Sequence, residues 1–320
     1  MGQKKSKHLQ LNNSNMKQHK ILLAMLLLFL GVYSNAQGSD KTISVLITDG
    51  QNNRAQWPKT THMLKTTHML KTYLEERGLF KVAVQRSAYT WKGEEFILEF
   101  PIDQKAEALE NPKPDPNFSP EFSKYDVIIS NFGWNAADWT DATQKFFEDY
   151  IENGGGLVVF HAADNSFPKW EVYTKISGLG GWGDCNEKDG RYVYYNDEDE
   201  PILDTAHGNG GEHDPQSEYQ IEFRNTEHPI TKRMPPLWMH TRDELYTKLR
   251  GPAENTEILG TAYAPPNNKG TGRHEPALMT LTYGKGRIIH NIMGHANYSV
   301  ACVGLKTTML RGTEWGQQAR

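Results

Sequence analysis

The chain has 320 residues, 37% of them hydrophobic and 23% charged, with 28 glycines, 16 prolines and two cysteines. That length can bury a sizeable core in one large domain or two small ones, and the composition excludes wholesale disorder, a collagen repeat and a disulfide scaffold. With 35 basic against 39 acidic residues the net charge is −4, which gives no electrostatic basis for binding nucleic acid.

The first 36 residues carry Lys4, Lys5, Lys7, Lys17 and Lys20 as their only charges, ahead of an apolar run at 21–32 and the small residues Ser34 and Ala36. A basic start, a short apolar run and a small-residue end make a secretory signal peptide. The run is short for a retained span, so no stable membrane anchor is expected after cleavage. The reading is therefore a leader at 1–36, a single domain at 37–320, and a periplasmic or secreted protein. Without the leader, 30 basic residues face 39 acidic ones, a net charge of about −9.

The string TISVLIT at 42–48 reads as a buried strand that ends in a polar loop carrying Asp49 and Asn52. A helix follows from Pro58 to the stop at Gly78, and FKVAV at 80–84 is a second strand. Inside that helix TTHMLK occurs twice, at 60–65 and 66–71. Six residues turn a helix by about 600°, so the two copies cannot face one core, and the extra copy should bulge, loop out or lengthen the N-terminal end. Residues 88–124, rich in proline, read as a surface excursion.

A third strand at 125–130 leads to the loop NFGW and Trp134, and a helix at 141–152 places Phe146, Phe147, Tyr150 and Ile151 on one face. Glycines 154–156 end it before the strand LVVF at 157–160, and His161 follows directly. Strand–helix alternation with continuous apolar strands is the signature of a parallel sheet covered on both faces. Further strands are read at 219–223, 257–262, 277–282 and 286–290, with a closing helix from Val300 to Trp315. Cys185 and Cys302 can pair or stay free; their spacing decides nothing.

Eight of the 12 histidines fall between 161 and 295, several where a strand gives way to a loop. In an open parallel sheet those ends converge on one crevice. Three or four of His161, His240, Glu244, His274, Glu275, His290 and His295 around an open position would make a zinc-like site, although no pair has a diagnostic ligand spacing. No Gly-x-Ser-x-Gly elbow is present. Trp134, Trp139, Trp170, Trp182 and Trp238 lie in loops, where indoles either stack on sugar rings or pack the rim.

The strings NGGGLVVFHAA (153–163), EHPI (227–230), MHTRDELY (239–246), LRGPAE (249–254), GRHEP (272–276), YGKGR (283–287), GH (294–295) and RGTEW (311–315) occur in that order. Together they resemble the ThuA-like (trehalose-utilisation) family, in its secreted Bacteroidetes form, over about residues 41–315. The resemblance implies a flavodoxin-like three-layer α/β sandwich with a mostly parallel central sheet and long loop insertions, of the class I glutamine-amidotransferase-like superfamily. In that superfamily a cysteine nucleophile occupies the elbow; here His161 and Ala162 stand there, so glutaminase chemistry is excluded.

The resemblance also implies carbohydrate metabolism, with a sugar, disaccharide or keto-glycoside as the small-molecule partner. His161, His240, Glu244 and His295 are the expected catalytic residues, and His161, His240 and His295 the expected ligands of a divalent metal such as zinc. Expected substrate contacts are Asp49, Asn52, Trp134, Asn165, Asp243, His274 and Glu275. Ala296 stands where relatives usually carry Asp, a departure that favours the alternative of a non-catalytic carbohydrate-binding protein on the same fold.

Overall fold

The computed structural model describes residues 42–50, 59–87, 113–134 and 136–317. Asn52, the leader at 1–36 and most of the proline-rich excursion lie outside the described residues. Residues 42–320 form one compact unit.

Four apolar runs become the heart of the sheet: β1 (Ile43–Asp49), β3 (Val127–Ser130), β4 (Gly156–Phe160) and β14 (Gly286–Asn291). With β2 (Phe80–Arg86) they lie in the order β2-β1-β3-β4-β14, every neighbour parallel. That is the flavodoxin-like arrangement, and it brings the carboxyl ends of all five strands to one side. Alternate residues enter opposite cores, which is why these strands are apolar throughout. Val45, Ile47, Val127 and Ile129 pack on the face that holds Leu70, Leu305 and Met309. Leu46, Ile128, Leu157 and Val159 pack on the face that holds Phe147, Tyr150 and Tyr173. Each aliphatic side chain taken from water here contributes about 1.5–3 kcal/mol.

The helices supply these two layers. On one face lie α1 (Lys59–Glu75) and α5 (Val303–Gln317); on the other lie α2 (Asp141–Glu152) and α3 (Glu171–Ser177). The duplicated hexapeptide lies within α1, which runs unbroken, so the extra copy lengthens the helix. Its second copy packs through Thr66, Thr67 and Leu70, continued by Tyr73 and Leu74, while His68 is exposed. In α2 the expected apolar face holds for Phe147, Tyr150 and Ile151, but Phe146 points outward and is 55% exposed.

Beyond β14 the sheet continues with antiparallel strands: β13 (His274–Tyr283), β12 (Thr256–Tyr263), β8 (Ser217–Phe223) and the edge strand β9 (Leu237–Asp243). The acidic run at 196–200 is the turn of a hairpin between β5 (Arg191–Tyr195) and β6 (Pro201–Asp204). There the Asn196 side chain accepts the N–H groups of Glu198 and Glu200, a turn that asparagine favours. Short pairings join β7 (Glu212–His213) to β10 (Tyr246–Thr247) and β11 (Arg250–Gly251) to β5. The expected closing helix from Val300 is interrupted: α4 (Asn297–Val300) ends, and α5 restarts after Cys302.

Candidate functional site

The strand β4 ends in His161, whose backbone takes φ 48°, the left-handed region that non-glycine residues seldom adopt. The following residues 161–165 coil at once into a short 3-10 turn, and the conformation throws the imidazole out at the strand end. Its Nδ1 lies 2.6 Å from the Ile292 carbonyl oxygen, which can only accept, so Nδ1 carries the proton and Nε2 presents a lone pair. Burial, with the nearby His295 adding to it, lowers the His161 imidazole to about 4, so the ring is neutral at ordinary pH.

Onto this ring converge His295, at the end of the segment after β14, and Tyr246 of β10. His295 Nδ1 is 3.3 Å from His161 Nε2, and the Tyr246 hydroxyl donates to the same Nε2 at 3.0 Å. The Tyr246 ring also lies tilted against that of His161, at 4.7 Å between centroids and 33° between planes, and Trp182 stands edge-on to Tyr246 at 4.7 Å. Glu244 closes the group, with Oε2 2.9 Å from His295 Nδ1. Burial pushes the Glu244 carboxyl up, but the hydrogen bond and charge of His295 outweigh it and bring it down to about 2. The site therefore holds a fixed carboxylate.

Among the described residues, His161, Glu244 and His295 are the group whose donor atoms can hold a metal ion, all within 4.8 Å of one another. A tetrahedral ion with bonds of roughly 2.0–2.2 Å keeps its ligand atoms about 3.3–3.6 Å apart. The 3.3 Å and 2.9 Å separations are of that order. The Nδ1–H bond to a backbone carbonyl is also how a ligating histidine is commonly oriented.

His240, expected as the third metal ligand, does not join this group; Glu244 takes the place. His240 is fully buried on β9, its Nε2 held by Asp243 at 2.8 Å and its ring against Tyr219 and Trp238. Asp243 is a structural anchor. Its Oδ2 also accepts the Gly294 N–H at 2.7 Å, and its Oδ1 accepts the N–H groups of Glu244 and His295, each at 3.0 Å. Gly294 is needed at that bend: φ is 116°, and a Cβ would meet Phe160 at 2.4 Å.

The expected substrate contacts are mostly committed elsewhere. Asp49 is buried in a two-pronged pair with Arg86 and accepts from Thr67, because the parallel register sets Asp49 beside Arg86. Asn165 ties the Gly181 N–H at 2.7 Å. Trp134 lies beside Gly183. His274 meets Arg224 at 3.1 Å and Tyr263 at 5.1 Å, on another part of the sheet. Glu275 is buried, accepting from Thr271 and Lys248, and burial pushes its carboxyl up to about 7. His290 points its Nε2 at Asp164, 3.4 Å away in the core. Of the loop tryptophans, Trp139 and Trp170 pack the aromatic core and Trp182 borders the histidine cluster.

Tyr246 carries a polar group into the site that residue-type reasoning passed over. Its signal was its position two residues after Glu244 in the string DELY. The spacing keeps both on the site side while Leu245 enters the core.

The sequence matches the family described as trehalose utilisation, ThuA, over residues 45–316. Comparison with curated proteins returns no match. A protein described as ThuA-like from Parabacteroides merdae ATCC 43184 is 35% identical, over 88% of this chain and 91% of that one, with a TM-score of 0.71. A second, from Bacteroides uniformis ATCC 8492, shares the fold at 19% identity, covering 88% of this chain and 92% of that one with a TM-score of 0.54. The family match over nearly the whole described unit, joined to the 35% identity, shows that the chain belongs to the ThuA trehalose-utilisation family.

Proposed function

We propose that the chain is an exported enzyme of carbohydrate metabolism, acting on a sugar, disaccharide or keto-glycoside at the His161–Glu244–His295 cluster with a divalent metal such as zinc. The observation that carries this reading is the convergence of two imidazoles and a fixed carboxylate within 4.8 Å. A bound ion of this kind would polarise a substrate oxygen as a Lewis acid. The donor set fits it: His161 is neutral with its lone pair forward, and Glu244 is ionised.

The chain's own groups have distinct parts. For a keto-glycoside the demanding step is removal of the proton on the carbon beside the carbonyl. His295 and Glu244 would serve there as ligands with His161, holding the ion where it would stabilise the negative charge that develops on the carbonyl oxygen. With the His161 Nε2 lone pair on the ion, the Tyr246 O–H that donates to it here would be released to donate where negative charge develops on oxygen. Trp182 offers a flat apolar surface to a ring. Export rests on the leader at 1–36, and among the described residues no helix is long and apolar enough to cross a membrane.

The test uses the purified protein, with metal content by mass spectrometry, zinc titration by calorimetry and turnover of 3-keto-disaccharides. Bound zinc and turnover, both lost in His161→Ala and Glu244→Gln, support the reading. Sugar binding without product transfers the protein to the non-catalytic class. The mass of the exported product reads out leader cleavage.

A further inference from the structure

The interruption between α4 and α5 creates a second chemical site, on the far side of Asp243. Cys302 is the residue that caps α5: its N–H donates to Ser299 O at 3.0 Å and its carbonyl accepts the Lys306 N–H at 2.9 Å. At this position a side chain turns back over the first helical turn and accepts from the N–H three residues on. The Cys302 sulfur does this with Leu305, and the Thr241 N–H of β9 donates to it as well.

Behind the sulfur stands His240. The ring is 0% exposed and its Nε2 is held by Asp243, while its buried Nδ1 is left without a hydrogen-bond partner of ordinary geometry and faces the Cys302 thiol. A cysteine backed by a histidine, which a carboxylate orients in turn, and seated on a helix N-terminus is the environment that stabilises a thiolate. The other polar groups around it are the Tyr219 phenol from β8 and Lys306 of α5, whose ammonium is engaged by Glu76. Burial pushes the Cys302 thiol up, but the His240 hydrogen bond and the two N–H groups outweigh it and bring it down to about 7. Cys185 is the contrast: burial pushes it up to about 12. Cys302 is also within reach of solvent, being half-buried next to Val303, which is 78% exposed.

We propose that Cys302 is a modification site, a thiolate that forms a mixed disulfide with small-molecule disulfides while His240 holds its proton. The thiolate attacks one sulfur of the reagent, a new S–S bond forms at Cys302 and the reagent's own S–S bond breaks. The departing thiolate takes up the proton from His240, so one disulfide is consumed, one is formed, and a free thiol leaves. The proposal is independent of what the His161 cluster acts on.

The full chain is treated with 5,5′-dithiobis(2-nitrobenzoate) near pH 7, the released thiolate is followed by absorbance, and the labelled peptide is assigned by mass spectrometry. Cys302 reacts at least about tenfold faster than Cys185, with a pH midpoint below the roughly 8.5 of an ordinary thiol. Cys302→Ser abolishes the fast phase. His240→Gln moves the midpoint upward and slows the reaction about tenfold near pH 7, with recovery in alkali. Equal rates at the two cysteines, or an ordinary midpoint at Cys302, overturns the proposal. The wild-type profile decides this alone, so the test survives a Gln variant that does not fold.

Discussion

Asp243 and His295 are joined through a backbone bond: the carboxylate of the first accepts the N–H of the second at 3.0 Å. A buried acid at the end of an edge strand thus fixes the loop that carries the late histidine of the cluster. The same carboxylate holds His240, so one side chain aligns two chemical sites, the histidine–glutamate cluster in front and the cysteine–histidine pair behind.

Asp243→Asn tests this. Burial pushes the Asp243 carboxyl up, but the hydrogen bond from His240, the His240 charge and the Gly294 N–H outweigh it and hold the group below the usual carboxylate range. An amide cannot serve as acceptor on both arms, so at least one of the Gly294, His295, Glu244 and His240 donors loses its partner. Breaking a buried charge pair in this way costs about 3–5 kcal/mol, which urea denaturation reads directly. A loss below about 1 kcal/mol would show that the loop is held by other contacts.

Glu244→Gln separates the metal from the fold. The carboxylate is the only formal negative charge among the three donors, and an amide oxygen ligates zinc far more weakly. Zinc affinity by calorimetry falls at least about 10–100-fold, the scale on which even the outer partners of metal ligands act. The unfolding midpoint without metal changes less than in Asp243→Asn, because Gln retains a donor–acceptor contact with His295.

Much of this arrangement was legible in the sequence, and the limits have physical causes. Apolar runs long enough to enter two cores announced β1, β3, β4 and β14, and with them His161 at a strand end. The edge strand β9 was not read as a strand, since its outward residues include Leu237 and Met239, about half exposed, which blur the alternation. Without that strand nothing told His240 from Glu244, although one lies behind Asp243 and the other in front of it. Asp49 looked like a loop acid awaiting substrate. Its partner Arg86 is set beside it only by the parallel register of β1 and β2, a pairing invisible along the chain.

The neutral His161 ring makes stability sensitive to mild acid. Its folded value of about 4 lies below the unfolded value of roughly 6.5, so its contribution is present above that unfolded value and is lost as pH falls toward 4. The size is about 3 kcal/mol. His240 has the opposite sign. Burial lowers it, but the bonds to Asp243 and Cys302 outweigh that and raise it to about 9, so its contribution is full below roughly 6.5 and is lost as pH rises through 9. Chemical denaturation between about pH 4 and pH 9 gives a dome with both flanks, and His161→Asn flattens the acid one selectively.

The duplicated hexapeptide gives the sharpest structural prediction. Deleting either copy of TTHMLK yields the same chain, and the shortened helix must choose which contacts its remaining copy makes. The copy at 66–71 carries the Thr67 hydroxyl that donates to Asp49 at 2.6 Å and the Leu70 side chain in the core. A six-residue slip would rotate these by about 240° and forfeit both. The surviving copy therefore keeps its register with Tyr73 and Leu74, and the helix shortens at its N-terminal end. The expected change in unfolding free energy is within about 1 kcal/mol, and reactivity at Cys302 is unchanged. A loss of several kcal/mol in urea denaturation would show that the first copy packs as firmly as the second.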